Sequence, residues 1–177
     1  MASILKVDKI RGTGLDSDSI SIDGSGNLTT AKTLSAPGHV IQVKQGILAH
    51  ASGMNTTSTS YVDTGLQVLI TPSSSSNKIL ISSSFTLYNS GGHNMKITAT
   101  RNHSGISETD LATNTNGGFS QLHTPTAAIG SGGSFSFLDS PSTTNEITYK
   151  IRAKVSGGTG YFSISGDSLV QVMEIAA

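Results

Sequence analysis

Residues 147–155 alternate between apolar and polar side chains without a break. Odd positions are apolar and even positions are polar, in the order Ile147, Thr148, Tyr149, Lys150, Ile151, Arg152, Ala153, Lys154 and Val155. Because successive side chains of a strand point to opposite faces, this pattern predicts a strand with one solvent-exposed face. Phe135 and Phe137 begin a shorter strand. The polar connection between this strand and residues 147–155 contains Pro141, which has no backbone N–H to donate to a β-ladder. We therefore expect residues 135–155 to form a strand pair in one antiparallel sheet.

The same alternation predicts a series of short strands through the rest of the chain. They are placed at 39–45, 61–71, 78–88, 95–101, 119–124, 161–165 and 169–175. Polar or glycine-rich stretches at 89–94, 104–118 and 126–133 are predicted to be loops. Short strands at intervals of about ten residues, without an amphipathic helix, predict an all-β fold: an antiparallel β-sandwich or jelly roll.

The strand predicted at 169–175 is apolar on both sides. One side carries Leu169, Met173 and Ile175, and the other carries Val170 and Val172. Full burial of such a side chain is worth roughly 1.5–3 kcal/mol, so we expect both sides to be buried, centrally in a sheet or at a subunit contact. Val170 and Val172 are the candidate subunit-interface residues.

Residues 1–36 form a distinct, extended N-terminal segment. Its apolar positions include Leu5, Val7, Ile10, Ile20, Ile22 and Leu28. The dense turn signal at 23–27 predicts a short strand followed by a small hairpin. So few apolar residues cannot offset backbone ordering at roughly 1–2 kcal/mol per residue, so the segment is expected to be ordered against a partner. Copies of itself around a three-fold axis, or a surface on which it docks, are the candidates.

Composition limits the classes of partner. Hydrophobic residues make up 35% of the sequence, aromatic residues 5% and charged residues 12%, and tryptophan is absent. The core must then be thin and aliphatic, which suggests that other subunits supply part of the buried surface. The 11 basic and 11 acidic residues balance, and no basic run exceeds two residues. Nucleic-acid binding is not expected, because phosphate contacts require a basic stripe.

The sequence also bears on location. The first ten residues carry charges where a secretion signal needs an apolar run, and no segment approaches the length of a membrane helix. There are no cysteines, so disulfides and thiolate metal sites are impossible. We expect a protein made in the cytoplasm without membrane insertion, which can leave a cell by release of an assembled particle.

No catalytic or metal-binding constellation stands out. The five histidines, His39, His50, His93, His103 and His123, share no spacing that places them on one face. The stretch 23–27 begins like a calcium loop, but Leu34 occupies the position that needs a bidentate glutamate. Glu108, Asp110, Asp139 and Glu146 fall in predicted loops without pairing, and no nucleophile elbow occurs. Catalytic residues, metal ligands and cofactors are therefore all predicted to be absent.

Loop aromatic residues are the candidates for ligand contact. Tyr88, Phe119 and Tyr161 could form carbohydrate platforms, although each also fits core or strand-edge packing. His93 lies in a glycine-rich loop, where a three-fold axis would bring three copies together. Lys150, Arg152 and Lys154 form a basic stripe, which indicates a solvated sheet face that discourages edge pairing.

Several runs carry a family resemblance. They are Pro37-Gly-His-Val-Ile-Gln-Val43, Asp63-Thr-Gly-Leu66, Ile70-Thr-Pro-Ser-Ser-Ser-Ser-Asn-Lys-Ile79, Phe137-Leu-Asp-Ser-Pro-Ser-Thr-Thr144 and Val172-Met-Glu-Ile175. Together they resemble small virion proteins of tailed bacteriophages, above all fibre-like proteins of phages that infect cyanobacteria and other marine bacteria. The resemblance covers about residues 37–177, and the opening Ile4-Leu-Lys-Val-Asp-Lys-Ile10 looks like the starts of such proteins.

The resemblance implies a structural role on the virion. Similar domains occur in tail fibres, head fibres and capsid decoration proteins, typically as trimers of β-sandwiches, and no catalytic residue carries over. The expectation is a homotrimeric head fibre or capsid decoration protein, with 37–177 as a knob and 1–36 attaching it to capsid or tail proteins. Leu5, Val7 and Ile10 are the candidate attachment residues. The alternative is a tail-fibre module whose loops 89–94, 104–118 and 126–133 recognise host surface glycans, with Tyr88, His93 and Phe119 as candidate contact residues.

Overall fold

The computed structural model describes residues 9–10, 20–30, 37–112, 118–123 and 126–177. The chain divides into two compact units, Met1–Ala36 and Pro37–Ala177. The boundary between the two units falls between Ala36 and Pro37.

The first unit contains a three-stranded antiparallel sheet with β2 in the middle. Its strands are β1 (Lys9–Ile10), β2 (Ile20–Ile22) and β3 (Leu28–Thr30). β2 and β3 form a hairpin in which Ile22 lies opposite Leu28. The predicted strand and hairpin are thus confirmed. Of the candidate attachment residues, Ile10 ends β1, whereas Leu5 and Val7 lie outside the described residues.

The hairpin turn is held by the carboxylate of Asp23. Its Oδ1 accepts hydrogen bonds from the backbone N–H groups of Ser25 (2.9 Å) and Asn27 (2.8 Å), and its Oδ2 accepts one from Asn27 Nδ2 (2.8 Å). Gly26 has a φ of 84°, a conformation that favours glycine. The hydrogen bonds from Asn27 are the main cause that lowers the pKa of Asp23. Both oxygens of the Asp23 carboxylate therefore accept hydrogen bonds from within the turn.

Eleven strands form the second unit, and the single helical element in its described part is a 3₁₀ turn at His50–Ser52. The strands are β4 (Val40–Leu48), β5 (Met54–Thr56), β6 (Val62–Ile70), β7 (Lys78–Asn89), β8 (Asn94–His103), β9 (Ile106–Asp110), β10 (Ser120–His123), β11 (Ile129–Asp139), β12 (Ile147–Val155), β13 (Gly160–Phe162) and β14 (Ser168–Ile175).

These strands form two antiparallel sheets. The first sheet has the strand order β4-β14-β7-β11. β13 pairs with β7 on the same edge as β14, further along the strand, and β5 pairs with the outer edge of β13. The second runs β6-β12-β8, with β9 and β10 sharing the far edge of β8. The pairing is nested: β4 pairs with β14, β6 with β12, β7 with β11, and β8 with β9 and β10. This winding is a jelly roll, so the predicted all-β antiparallel sandwich is confirmed.

The nested winding corrects the predicted pairing of 135–137 with 147–155. β11 pairs with β7 in the first sheet, whereas β12 lies between β6 and β8 in the second. The connection 140–146, which contains the buried Pro141, passes from one sheet to the other instead of turning back as a hairpin. The two apolar faces therefore oppose each other across the core.

The core lies between the two sheets and is mainly aliphatic, as the composition predicts. Its residues include Leu66, Val68, Ile70, Ile79, Ile81, Phe85, Leu87, Met95, Ile97, Ala99, Ile147, Tyr149, Ile151, Ala153 and Val155, none of them more than 4% exposed. Full burial of one Val, Leu, Ile or Phe side chain contributes roughly 1.5–3 kcal/mol, so this layer is the main source of stability.

Val170 and Val172 are also core residues, which corrects their assignment to a subunit interface. Both are 0% exposed and pack within the core of a single chain. β14 is central, between β4 and β7, so its even-numbered side chains point into the sandwich. They cannot reach a second copy. The opposite side of β14, which carries Leu169 and Met173, is only half-buried.

Two of the predicted loops contain strands. Residues 106–110 form β9 on the edge of β8, and residues 129–134 extend β11 along the full length of β7. The glycines of β11 hide its alternation, yet Gly133 is required by packing, since a Cβ there would lie 2.4 Å from the ring of Phe85. The loop at 89–94 shrinks to a turn between β7 and β8.

Candidate interaction surfaces

Asp139, at the end of β11, links the two sheets. Nη1 of Arg101, on β8, donates to both carboxylate oxygens at 2.6 and 2.8 Å, and the hydroxyl of Tyr149, on β12, donates to Oδ2 at 2.7 Å. The Asp139 side chain is 7% exposed and that of Arg101 16%. Burial, followed by the charge of Asp139, raises the pKa of Tyr149, which keeps the hydroxyl a donor. The carboxylate is fully engaged in joining the sheets.

Glu174, on β14, is 0% exposed and accepts hydrogen bonds from three neutral residues. Oε1 accepts from the backbone N–H of Ser73 (2.7 Å), its hydroxyl (2.8 Å) and Asn77 Nδ2 (2.6 Å), while Oε2 accepts from Gln42 Nε2 (2.7 Å). Burial alone would raise the pKa of Glu174, but the hydrogen bonds from Asn77, Gln42 and Ser73 outweigh it and lower the pKa. This cluster fastens the turn 71–77 to the last strand.

The outward face of the second sheet is charged but internally balanced. Asp63 contacts Lys150 Nζ at 3.1 Å and Arg152 Nε at 2.9 Å, and Glu108 contacts Arg152 Nη1 at 3.4 Å. The register between β6 and β12 shifts at a bulge, because Arg152 lies opposite Asp63 whereas Lys150 lies opposite Gln67. Gly65, within this bulge, has a φ of 86°. The basic stripe predicted from the sequence therefore lies between acidic residues of β6 and β9.

The same face has further hydrogen bonds. Thr98 donates to Asp110 and Thr100 to Glu108, each at 2.6 Å. Lys154 Nζ lies 4.4 Å from the ring centroid of Tyr61. Burial, with a smaller effect from the charge of Asp110, raises the pKa of Tyr61 to about 12. On this face, Lys150 and Arg152 are thus paired with carboxylates, and Lys154 lies over the ring of Tyr61.

The outward face of the first sheet differs sharply. Its side chains belong to β4, β14, β7 and β11 and are Val43, Gln45, Ile47, Leu169, Gln171, Met173, Leu80, Ser82, Ser84, Thr86, Ser134, Ser136 and Leu138. Lys78 lies at one end and Asp167 at the other, and among the described residues no charged side chain lies between them. We call this surface the uncharged face.

The side chains of the uncharged face form rows across the strands, one apolar, one polar and one mixed. One apolar row crosses four strands as Val43, Met173, Leu80 and Leu138. The next row consists of Gln45, Gln171, Ser82 and Ser136, and the third of Ile47, Leu169, Ser84 and Ser134. Val43 and Leu138 are each 48% exposed, and Ile47 is 63% exposed.

Two adjoining shallow depressions mark this face. One, of about 350 Å³, is lined by Ser82, Ser84, Ser134, Ser136 and Leu169, among others. The other, of about 410 Å³, lies over Gly132 and Gly133 and is bounded by Thr86 and Asp167. Both are floored by small side chains, so they follow from the serine and glycine content of β7 and β11.

The predicted ligand-contact residues separate into two places. Tyr88 lies opposite Tyr161, with the rings edge to face at 5.5 Å, near the end of β7. His93 lies in the adjacent turn, where any Cβ on Gly158 would come within 2.5 Å of its ring. Phe119, in contrast, stacks on Phe135 at 4.7 Å and packs at the margin of the core. All three aromatic side chains are half-buried, but only Phe119 packs against the core cluster.

No cluster of metal-binding side chains is evident in the part of the chain that the structure describes. No three His, Asp or Glu side chains of these residues gather at metal-binding distance. His103, at the end of β8, is buried at 8% exposure. Within the same residues, no helix is long and apolar enough to cross a membrane.

No protein-family model and no curated protein matches this sequence. Similar solved structures include Eiger TNF from S. frugiperda, 9% identical over 80% of this chain and 94% of that chain, with a TM-score of 0.44. Another is the VP2 subviral particle of infectious bursal disease virus, 14% identical over 96% of this chain and 42% of that chain, with a TM-score of 0.38. The chain thus spans less than half the length of that viral protein. Likeness at these values carries no information about function.

Proposed function

We propose that this chain is a structural protein of a bacteriophage virion: a short homotrimeric head fibre or capsid decoration protein, and not an enzyme. Residues 37–177 form its knob, and residues 1–36 attach it to other virion proteins. It is made in the host cytoplasm and exposed on the released particle. The jelly roll alone is weak support, since the same fold serves viral capsids and lectin domains alike.

The support comes from where the motifs of the phage resemblance lie. Gln42, Ser73, Asn77 and Glu174 belong to three separate motifs, and they meet in one buried hydrogen-bonded cluster. A fourth motif contains Asp139, the carboxylate that joins the sheets. The residues that carry the resemblance are therefore the ones that build the sandwich, and a virion structural role needs that architecture and no reaction centre.

A truncation tests whether residues 1–36 attach the protein to the virion while residues 37–177 form the knob. The full chain and residues 37–177 are compared for mass in solution and for binding to phage particles that lack this protein. We expect both forms to be trimers, but only the full chain to bind, because three weak N-terminal contacts reinforce one another. Normal occupancy by the truncated form would refute the attachment role of 1–36.

Host glycan recognition is the second candidate, favoured by one observation. The edge-to-face pair of Tyr88 and Tyr161 presents half-exposed aromatic surface beside the turn that contains His93. Aromatic side chains of this kind suit the apolar faces of sugars. A glycan array would detect specific binding that disappears in Tyr161→Ala but persists in Phe119→Leu. If the wild-type protein bound no glycan on the array, only the structural role would remain.

A further inference from the structure

We infer that the uncharged face is the surface through which copies of this chain associate. The inference rests on the proposed homotrimer and locates its contact. In place of Val170 and Val172, which are buried within one chain, it assigns the contact to Val43, Leu80, Leu138 and Met173 and to the rows beside them.

The contrast between the two outward faces supports this assignment. The second sheet presents Asp63, Glu108, Lys150 and Arg152 to solvent and pairs them with one another. The first sheet presents aliphatic, serine and glutamine side chains over the same extent of strand. A face exposed to water needs no continuous apolar row, and charged residues are depleted from the cores of protein interfaces.

The chemistry of the face selects a second copy of itself as the occupant. A polyanion or an anionic membrane would find no cationic side chain between Lys78 and Asp167 in the described residues. A copy of the same face supplies an apolar row for the apolar row, and amide and hydroxyl groups that both donate and accept for the polar row. It introduces no like-charge repulsion at the centre of the contact.

The size of the face is sufficient for such a contact. Four strands about 4.8 Å apart and about eight residues long at about 3.3 Å per residue cover on the order of 500 Å². Three copies that turn this face toward a common three-fold axis then bury on the order of 1,500 Å² in total, which is the size of a standard specific interface. The protruding Ile47 and the neighbouring depressions supply relief that a flat sheet would lack.

Charged substitutions test the inference with a control on the opposite face. Val43→Glu and Leu138→Glu are combined in the full chain, because both positions are 48% exposed and tolerate a charge in the isolated subunit. Leu69→Glu, at 43% exposure on the outward side of β6, is the matched control. Sedimentation equilibrium measures association, and circular dichroism confirms that each variant is folded.

We expect the double variant to associate at least about 100-fold more weakly than the wild type, and Leu69→Glu to associate unchanged. The milder double variant Val43→Ser and Leu138→Ser should weaken association about tenfold. It provides the test if the two glutamates prevent folding. A folded double variant with wild-type association would overturn the location but leave the homotrimer standing. A wild type that stays monomeric at high micromolar concentration would overturn both.

The absence of cysteine from the sequence permits a direct measurement of contact. Leu138→Cys and Leu69→Cys each introduce a single thiol at a similar exposure. A thiol within the contact should react with a maleimide more slowly, and its rate should recover on dilution. Leu138→Cys should therefore be protected, whereas Leu69→Cys should not. Equal rates for the two at all concentrations would argue against the uncharged face.

Discussion

Asp139 and Glu174 lie in one cross-strand row of the first sheet, on either side of Ile79. Both point into the sandwich, so the two buried carboxylates share one end of the jelly roll. Their environments differ. Asp139 is paired with the guanidinium of Arg101, whereas Glu174 is held by neutral donors. The two should therefore respond differently to mutation and to pH.

Replacing Arg101 by methionine should be strongly destabilising. The substitution leaves Asp139 buried with Tyr149 as its remaining side-chain partner, and breaking a buried ion pair in this way costs about 3 kcal/mol. Lys150→Met is the control, because the Lys150–Asp63 pair has side chains that are 27% and 49% exposed, and such pairs contribute at most about 1 kcal/mol. Urea denaturation of the two variants measures the difference. Equal losses would mean that the sheets are not joined through Asp139.

Glu174→Gln should destabilise the protein in a pH-dependent way. The amide turns a nitrogen toward groups that donate hydrogen bonds, which costs about 2 kcal/mol at neutral pH. The hydrogen bonds hold the folded-state pKa below the ordinary value of 4.5, so the folded chain binds fewer protons than the unfolded chain in that region. The stability contributed by the carboxylate is present above about pH 4.5 and is lost as the pH falls through the folded pKa.

Urea midpoints between pH 3 and 7 check this dependence. The difference between the wild type and Glu174→Gln should shrink as the solution becomes acidic. Glu146→Gln, at an exposed position, should follow the wild type throughout. A constant difference across the whole range would show that Glu174 is not the titrating group.

Alternation predicted the long strands because each has one face in the core. Ile147–Val155 is the clearest case, since every odd residue is buried. β9 and the start of β11 were missed for different reasons. β9 packs through Glu108 and Asp110 on threonine hydroxyls, and β11 begins with glycines that leave no side chain to alternate.

Both buried carboxylates carried a signal in their strand phase, which the loop assignment concealed for Asp139. Asp139 is in phase with Phe135 and Phe137, and Glu174 is in phase with Val170 and Val172. A charged residue in the core phase of a strand predicts a buried partner. Which partner it finds depends on strand pairing across the chain, and the short connection 140–146 suggested the wrong pairing. Neither Arg101 nor Gln42 could be assigned from local pattern.

Gly133→Ala should cost about 1–3 kcal/mol through overpacking. Its Cβ would lie 2.4 Å from the ring of Phe85, which packs against Phe135 and Phe162 at centroid distances of 6.3 and 5.6 Å and has little room to move. Gly132→Ala, one residue away on the outward side, has its nearest atom at 3.9 Å and should change stability by less than about 0.5 kcal/mol. Thermal unfolding of both variants distinguishes packing from strand propensity, which would affect the two alike.

Gly46→Ala should be the most damaging of the glycine substitutions. β4 and β6 are edge strands of different sheets, and a Cβ on Gly46 would lie 1.9 Å from the carbonyl oxygen of Gln67. The obstruction is backbone and cannot rotate away, so the two edges must separate, at a cost of at least about 3 kcal/mol. Gly130→Ala, with its nearest atoms at 3.6 and 3.7 Å, is the control and should be tolerated. If urea denaturation gave Gly46→Ala the stability of the control, the two edges would not be in contact in solution.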